Sequence, residues 1–159
     1  IKQFKMMFKT HLAFGFLSAL ISLNFFDIEN KILFLAVVTL SAIVADLDTM
    51  RSKIGSNFKI LSWLFEFMFG HRGLMHTVYP GILVFIILSI FGYSIIGFAF
   101  LIGYISHLLI DALNIKGISF FRPLYNLHIK GFIRAGSILE YILLSIIIIL
   151  IILRINVIL

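Results

Sequence analysis

Cysteine is absent from this chain of 159 residues, and proline occurs only twice. The lack of cysteine excludes disulfides, thiolate metal sites and cysteine nucleophiles. Charge is also scarce: 13% of the residues are charged, against about 25% in ordinary soluble domains. Hydrophobic residues make up 62% of the chain, and the mean hydropathy is +1.15. Such a composition excludes intrinsic disorder and argues against a soluble globule. It predicts an integral membrane protein with one domain over residues 1–159.

The apolar residues fall into five runs separated by short polar stretches. A membrane-spanning helix needs about 20 mostly apolar residues, so we expect an all-α fold: a polytopic membrane helix bundle with about five transmembrane helices. The predicted spans are residues 12–26, 32–45, 78–91, 95–113 and 138–153. The aromatic stretch 60–69 is too short to span and predicts an interfacial or re-entrant helix. Residues 114–136 mix polar and aromatic side chains and predict a loop.

The basic residues indicate how such a bundle is oriented. With five spans, every lysine and arginine except Lys31 and Arg154 falls on one side of the membrane. Basic loops stay in the cytoplasm, so we expect a cytoplasmic N-terminus in the cell (inner) membrane, with the first apolar run retained as a span. Orientation and contact with lipid headgroups account for most of these charges. No recognition-helix pattern is present, so no nucleic-acid partner is expected.

The same topology brings most candidate metal ligands and proton-transfer groups to one membrane face. Charged residues within spans are costly and usually functional. Only Asp27 and Glu29, in a short polar turn, belong to the opposite face. The residues expected to converge are His11, Asp46, Asp48, His71, His76, His107, Asp111 and Glu140.

Two pairs of candidates have informative spacing. His107 and Asp111 are four residues apart on one predicted helix, so their side chains share a face and can hold one divalent cation. The alternative is a His–Asp hydrogen bond that stiffens the bundle. Asp46 and Asp48 end an apolar helix, where the helix dipole disfavours acids, and a hard cation would compensate them. The alternative is a pair of solvated acids.

The loop before the third span holds two histidines around a glycine. His71 and His76 can both turn inward, and histidine is the commonest metal ligand. Arg72 between them can clamp a phosphate or carboxylate, or serve only as an orientation charge.

Four further residues have weaker local signals. His11, alone near a helix start, is either a ligand or a polar cap. His128 is expected to be solvated, and Glu66 is ambiguous, with a surface position favoured. Glu140 is either part of the site or a first-turn acid favoured by the helix dipole.

These motifs together resemble the YdjM-like family of membrane-bound, metal-dependent hydrolases. The matching pieces keep the family's order and cover almost the whole chain. They are Thr10-His11, Ala45-Asp46-Leu47-Asp48, the run from Gly70 to Thr77, the run from Gly103 to Asn114, Gly117, Arg122-Pro123, and the run from Gly136 to Glu140.

The chain departs from the family pattern at a few positions. Ala45 and Thr49 stand where the family has proline and histidine, and Met75 where it prefers threonine or serine. Because Thr49 replaces a histidine, the chain offers one fewer possible histidine ligand to a metal.

A more distant similarity is to zinc-dependent phospholipase C and related nucleases. In those enzymes the aspartate of the His-x3-Asp motif bridges metals. The resemblance implies that Asp111 bridges, with His107, Asp48 and one of His71 or His76 around one ion, and His11 near another. It implies a divalent metal cofactor, zinc, with one to three ions.

The expected function is therefore a membrane hydrolase in which metal-activated water attacks a lipid or lipid-linked phosphoester at the cytoplasmic face. Arg72 would stabilise the developing negative charge. Asp46 or Glu140 would act as general base or orient a ligand. The alternatives are a metal-ion or proton-coupled transporter and a non-catalytic scaffold with a structural metal. The sequence indicates no oligomeric state.

Overall fold

The computed structural model describes residues 8–48 and 74–158, and it is mostly helical. Its five α-helices are α1 (Phe8–Ser22), α2 (Lys31–Ser41), α3 (Tyr79–Ile90), α4 (Ser94–Ala112) and α5 (Ile138–Ile158). Two short 3₁₀ helices, Val44–Asp48 and Leu74–His76, follow α2 and precede α3. A two-stranded antiparallel sheet joins β1 (Ile118–Ser119) to β2 (His128–Ile129). The predicted interfacial helix at 60–69 lies outside the described residues.

Two of the described helices are long and apolar enough to cross a membrane. They are α4, with 19 residues, and the first 18 residues of α5, Ile138–Ile155. The helices α1 and α3 are apolar but shorter, and α2 has 11 residues. Each of the five predicted apolar segments therefore contains a helix, and the long ones are the fourth and the fifth.

The helix ends follow local sequence chemistry. The side chain of Asn30 accepts a hydrogen bond from the Leu33 amide at 3.0 Å, which caps the first turn of α2. At the end of α3, Gly92 adopts a φ of +85°, and the Tyr93 amide donates to the Leu88 carbonyl at 2.8 Å. This left-handed glycine cap turns the chain sharply, so α4 begins two residues later beside α3.

The helix α4 is the centre of the bundle. It packs against α1, α2 and α3, while α5 packs against α1. Close approach depends on small residues, as is usual between membrane helices. A Cβ added at Gly103 would lie 2.0 Å from the Val38 carbonyl oxygen and from the Ser41 hydroxyl. Gly103 therefore sets the distance between α4 and α2.

Hydroxyl side chains inside the helices bond to the preceding turn. Ser18 donates to the Phe14 carbonyl at 2.8 Å, and Ser22 donates to the Ser18 carbonyl at the same distance. A polar group in an apolar environment has no water to form hydrogen bonds with. These bonds to the helix's own backbone therefore let α1 carry serines among apolar side chains.

The outer surface of α5 is strongly apolar. Isoleucine and leucine side chains such as Ile142, Ile149 and Leu153 are about half exposed. An uncovered apolar surface of this extent is typical of contact with lipid or with another protein.

The segment expected to be a loop, 114–136, has defined structure. Its sheet pairs Ile118 with Ile129 and Ser119 with His128. Ile118 and Ile133 are buried, and Asn114 pairs with Ile133 in an isolated parallel bridge. The segment therefore folds back over the C-terminal end of α4.

Candidate metal centre

The last turns of α4 carry the histidine and aspartate at the centre of the site. His107 is fully buried and Asp111 is 6% exposed. The His107 Nε2 atom lies 3.5 Å from the Asp111 Oδ2 atom. The helical spacing of four residues produces this pairing, as the sequence predicted.

The backbone of the turn after α2 fixes the state of the His107 ring. Its Nδ1 atom lies 2.8 Å from the Ala42 carbonyl oxygen. A carbonyl oxygen only accepts, so Nδ1 carries the proton, and in the neutral ring Nε2 presents its lone pair. Nε2 faces the Asp111 oxygen and also the Asp46 Oδ1 atom, at 3.6 Å. A ligand histidine is usually oriented in this way, by a hydrogen bond from its other nitrogen.

Two more histidines approach Asp111 from other parts of the chain. The His11 Nε2 atom lies 3.5 Å from Asp111 Oδ1, and the His76 Nε2 atom lies 3.5 Å from Asp111 Oδ2. His11 belongs to the first turn of α1, and His76 ends the 3₁₀ helix before α3. The two carboxylate oxygens of Asp111 therefore face different histidines.

The three imidazole rings also contact one another. The His11 and His107 rings stack with their centroids 4.0 Å apart and an interplanar angle of 14°, and His76 meets His107 edge to face at 5.6 Å. Two positive rings stacked so closely would repel each other strongly in a buried site. The arrangement suits neutral imidazoles, which is the form that binds metals.

The distances between the donor atoms match those around a shared cation. An N–H···O hydrogen bond is about 2.7–3.2 Å long, and the four His–Asp distances are 3.5–3.6 Å. Two nitrogen or oxygen ligands held about 2.0–2.1 Å from a tetrahedral ion stand about 3.4 Å apart. The unprotonated Nε2 atom of His107 and an ionised carboxylate oxygen repel each other unless a cation lies between them. The residues present therefore fit a divalent metal.

Two groups of buried donors have the right proximity. His11, His107 and Asp111 form one group, and Asp46, His76 and His107 form the other. Within each group the ligand atoms all lie within 4.8 Å of one another. His107 belongs to both groups, but its single lone pair, on Nε2, can bind only one ion at a time.

Several structural contacts hold the donor-bearing segments in place. The Tyr104 hydroxyl, on α4, donates to the Met75 carbonyl and so ties the 3₁₀ helix that carries His76 to α4. The Thr10 hydroxyl donates to Glu140 Oε1 at 3.1 Å. The Gly136 amide donates to Glu140 Oε2 at 2.7 Å.

Glu140 therefore links the first turn of α1 to the start of α5. It is fully buried, and its carboxylate holds Thr10, the neighbour of His11. No sequence pattern indicates that Thr10 is the partner of Glu140, because the two residues lie at opposite ends of the chain.

The predicted site residues thus divide into those the structure brings together and those it does not describe. Brought together are His11, Asp46, His76, His107 and Asp111. His71 and Arg72 lie outside the described residues, as does Glu66. The backbone of Asp48 belongs to the 3₁₀ helix after α2, but its side chain lies outside the described part of the structure.

A cleft beside the donors was not predicted. It has a volume of about 230 Å³, and its lining includes His76 and Asp111 together with residues of the 114–136 segment such as Lys116, Arg122 and His128. His128 is exposed, as predicted. The mixed composition of the segment was the only available signal, and it did not reveal that the segment folds back onto the donors.

Comparison with known proteins agrees with this picture of the molecule. The family model described as YdjM inner membrane protein matches residues 6–158. The chain belongs to this family. It is also similar to a protein of Bacillus subtilis (strain 168) described as "Uncharacterized protein YvsG", with 29% identity over 139 residues, covering 86% of each chain. No solved structure matches the chain.

Membership of the YdjM family bears on two expectations. The resemblance noted from the motifs is confirmed, and the family's description is that of an inner membrane protein. The two long apolar helices fit that description. The buried histidines and aspartates supply a site that could hold a metal ion.

Proposed function

We propose that this YdjM-family protein is a metal-dependent hydrolase built into the membrane. The observation that carries the proposal is the meeting of three histidines and two aspartates, from four separate segments, with His–Asp distances of 3.5–3.6 Å. Burial of two carboxylates is costly without a compensating charge. Polar side chains of this kind inside a membrane bundle usually have a function.

The donor set suggests the metal and its ligands. We propose zinc, with one to three ions, held by His11, Asp46, His76, His107 and Asp111, because imidazole and carboxylate ligands suit this ion. Bound zinc lowers the pKa of water to about 7 and polarises a phosphoryl oxygen. His71 and Asp48 complete the proposed ligand set on sequence grounds alone.

The residues of the chain then have separate roles in the proposed reaction. Asp46 lies beside His107 and can accept a proton from the attacking water. Glu140 orients His11 through Thr10, its hydrogen-bond partner. Arg72 is the proposed counter-charge for the developing negative oxygen.

The substrate is proposed to be a lipid or lipid-linked phosphoester. The donor cluster lies at the end of the bundle where α1 begins and α4 ends, so it is near a membrane surface rather than at mid-depth. The neighbouring cleft, whose lining includes His76 and Asp111, offers water and a headgroup a route to the donors. In the proposed topology all five helices span the membrane, and this end faces the cytoplasm.

The direct test combines metal analysis with turnover. Purified protein is expected to contain a divalent ion and to release phosphate or an alcohol from phosphatidate or a related phospholipid. The variant with His107→Ala and Asp111→Ala should lose the metal and the turnover. Asp27→Asn, at the exposed turn between α1 and α2, is the matched control and should keep both. Metal content that is unchanged in the double variant would refute the site, and metal binding without turnover would favour a structural metal.

The topology has its own test. Since the chain has no cysteine, single cysteines introduced at the exposed positions Glu29 and Tyr125 can be labelled without background. We expect a membrane-impermeant reagent to reach residue 29 from outside the cell and residue 125 only from the cytoplasmic side. Labelling of both from one side would contradict the five-span arrangement.

A further inference from the structure

The cleft beside the donors has two chemically different walls. One part of its lining, the donor wall, includes His76 and Asp111, and another part, the basic wall, includes the cationic residues Lys116 and Arg122. The volume of about 230 Å³ is that of some seven or eight water molecules, at about 30 Å³ each in the liquid. A phosphate group with part of its ester fits this space.

The turn that carries Lys116 is fixed by its surroundings. The Asn114 side chain is buried and accepts from the Lys116 amide at 3.0 Å, while the Asn114 carbonyl accepts from the amides of Gly117 and Gly131. Gly117 has a φ of +62°, and a Cβ there would lie 2.2 Å from the Ile129 carbonyl oxygen. Only glycine fits this turn, so the wall is built by the fold and is not a freely moving loop.

His128 braces the same wall. Its Nε2 atom lies 3.0 Å from the Lys116 carbonyl oxygen, and its Nδ1 atom lies 3.1 Å from the Ser119 hydroxyl. The carbonyl can only accept, so Nε2 donates, and a neutral ring then accepts from Ser119. His128 therefore holds β2 against the Lys116 turn, and the positive charge of the wall comes from Lys116 and Arg122.

These two cations have no ion-pair partner within the described ranges 8–48 and 74–158. They nevertheless line the same cleft as Asp111, whose two oxygens face His11, His76 and His107. An anion in the cleft would be attracted both by the basic wall and by a cation held in the donor cluster. Arginine in particular matches the oxygens of phosphate in pairs.

We infer that Lys116 and Arg122 form an anion subsite that binds the phosphate group of the substrate opposite the donor cluster. This inference rests on the proposed hydrolase function and specifies its substrate class: an ester of phosphate, not a neutral carboxylic ester or amide. A neutral ester offers no charge to two cations. A phosphate supplies the negative oxygens that both walls of the cleft require.

Binding of inorganic phosphate to the purified, metal-loaded protein tests the subsite without turnover. Calorimetry in phosphate-free buffer should detect binding to the unaltered chain. The double variant Lys116→Gln, Arg122→Gln should bind at least about 10-fold more weakly, because hydrogen bonds between charged groups contribute more than neutral ones. Lys130→Gln is the matched control, since Lys130 is an exposed lysine of the same segment that does not line the cleft. It should bind within about twofold of the unaltered chain.

Two ligand arms identify the source of the phosphate group. One arm uses phenyl phosphate in solution, and the other uses vesicles of phosphatidylcholine containing phosphatidate. Binding in either arm that depends on Lys116 and Arg122 supports the subsite, and a preference for the vesicles identifies a lipid headgroup. Equal binding by the unaltered chain and the double variant, or no phosphate binding at all, would overturn the proposed anion subsite.

The outcomes separate this inference from the function on which it rests. If phosphate binding depends on the two cations but no phosphoester is cleaved, the subsite stands and the hydrolase proposal fails. If cleavage depends on metal while the double variant keeps its phosphate affinity and its KM, the hydrolase stands and the subsite fails. Metal content and helix content of the double variant should equal those of the unaltered chain, because neither side chain contacts the donor atoms.

Discussion

The two ends of the helical bundle place acidic side chains in opposite environments. At the turn between α1 and α2, Asp27 and Glu29 are exposed. At the other end, Asp46 and Asp111 are buried and face imidazole rings. Exposed carboxylates are solvated and need no partner. Buried carboxylates lose their hydration, so their presence requires a compensating cation or proton.

The comparison also concerns how each end is built. The exposed turn is a local structure capped by Asn30. The donor end joins residues from α1, α4 and the two 3₁₀ helices, and it is tied together by Tyr104 and Glu140. A local turn can change without consequence elsewhere, whereas the donor end depends on every segment that contributes to it.

The largest expected effect is that added metal reverses the sign of the stability difference between the Asp111→Asn variant and the unaltered chain. At pH 8 without metal, the variant should be at least as stable as the unaltered chain, because the substitution removes a buried negative charge. With zinc at 100 times its Kd, the unaltered chain should gain about 2.7 kcal/mol, and the variant should gain little. Thermal unfolding in detergent, with and without zinc, measures both differences.

The matched control is Glu29→Gln at the exposed end. This variant should respond to zinc as the unaltered chain does. If the Asp111 variant gains as much from zinc as the control gains, the donor cluster does not hold the ion.

Much of the donor end was predictable because its arrangement follows from helix periodicity and from the alternating direction of consecutive spans. Residues four apart on a helix share a face, so His107 and Asp111 do. Because consecutive predicted spans run in opposite directions, the ends of α2 and α4 are expected on the same side. The first helix was predicted to begin at residue 12 but begins at Phe8. A span predicted from hydropathy leaves out Thr10 and His11 because both are polar. Both are nevertheless fully buried, with partners within the bundle.

The orientation of the ligands was not predictable. The second span was expected to reach residue 45, but α2 ends at Ser41 and a tighter 3₁₀ turn carries Asp46. That turn also presents the Ala42 carbonyl to His107. A backbone carbonyl has no sequence signature. The basic wall of the cleft likewise depends on contacts of Gly117 with distant backbone, and its residues were expected to orient the chain and to contact lipid headgroups.

A second prediction compares two glycines of α4, Gly97 near its start and Gly103 at its middle. Gly103→Ala would place a Cβ 2.0 Å from the Val38 carbonyl oxygen, whereas at Gly97 the nearest atom to a new Cβ, the Phe85 carbonyl oxygen, is 3.0 Å away. Backbone atoms cannot move aside as the end of a flexible side chain can. We expect Gly103→Ala to cost about 1–3 kcal/mol by overpacking, and Gly97→Ala to cost less.

The stability of both variants in detergent provides the measurement, and zinc binding sharpens it. Because Gly103 sets the approach of α4 to α2, its replacement should also separate His107 from Asp46 and weaken zinc affinity. Gly97→Ala, nearer the exposed end, should leave zinc affinity unchanged. Equal losses of zinc affinity in the two variants would mean that the spacing of α4 and α2 does not position the donors.

The smallest expected effect is that of Glu140→Gln. Glutamine keeps one oxygen to accept from the Gly136 amide, and its NH₂ group can face Thr10, whose hydroxyl is able to rotate and accept. The first turn of α1 should therefore stay in place, with zinc affinity reduced by less than about tenfold, below the range of 10–100-fold typical when direct partners of ligands are removed. Glu140→Leu removes both acceptors and leaves the Gly136 amide and the Thr10 hydroxyl without this carboxylate, so it should weaken zinc binding more than Glu140→Gln does. Zinc titration of the two variants ranks them, and equal affinities in both would show that Glu140 does not position His11.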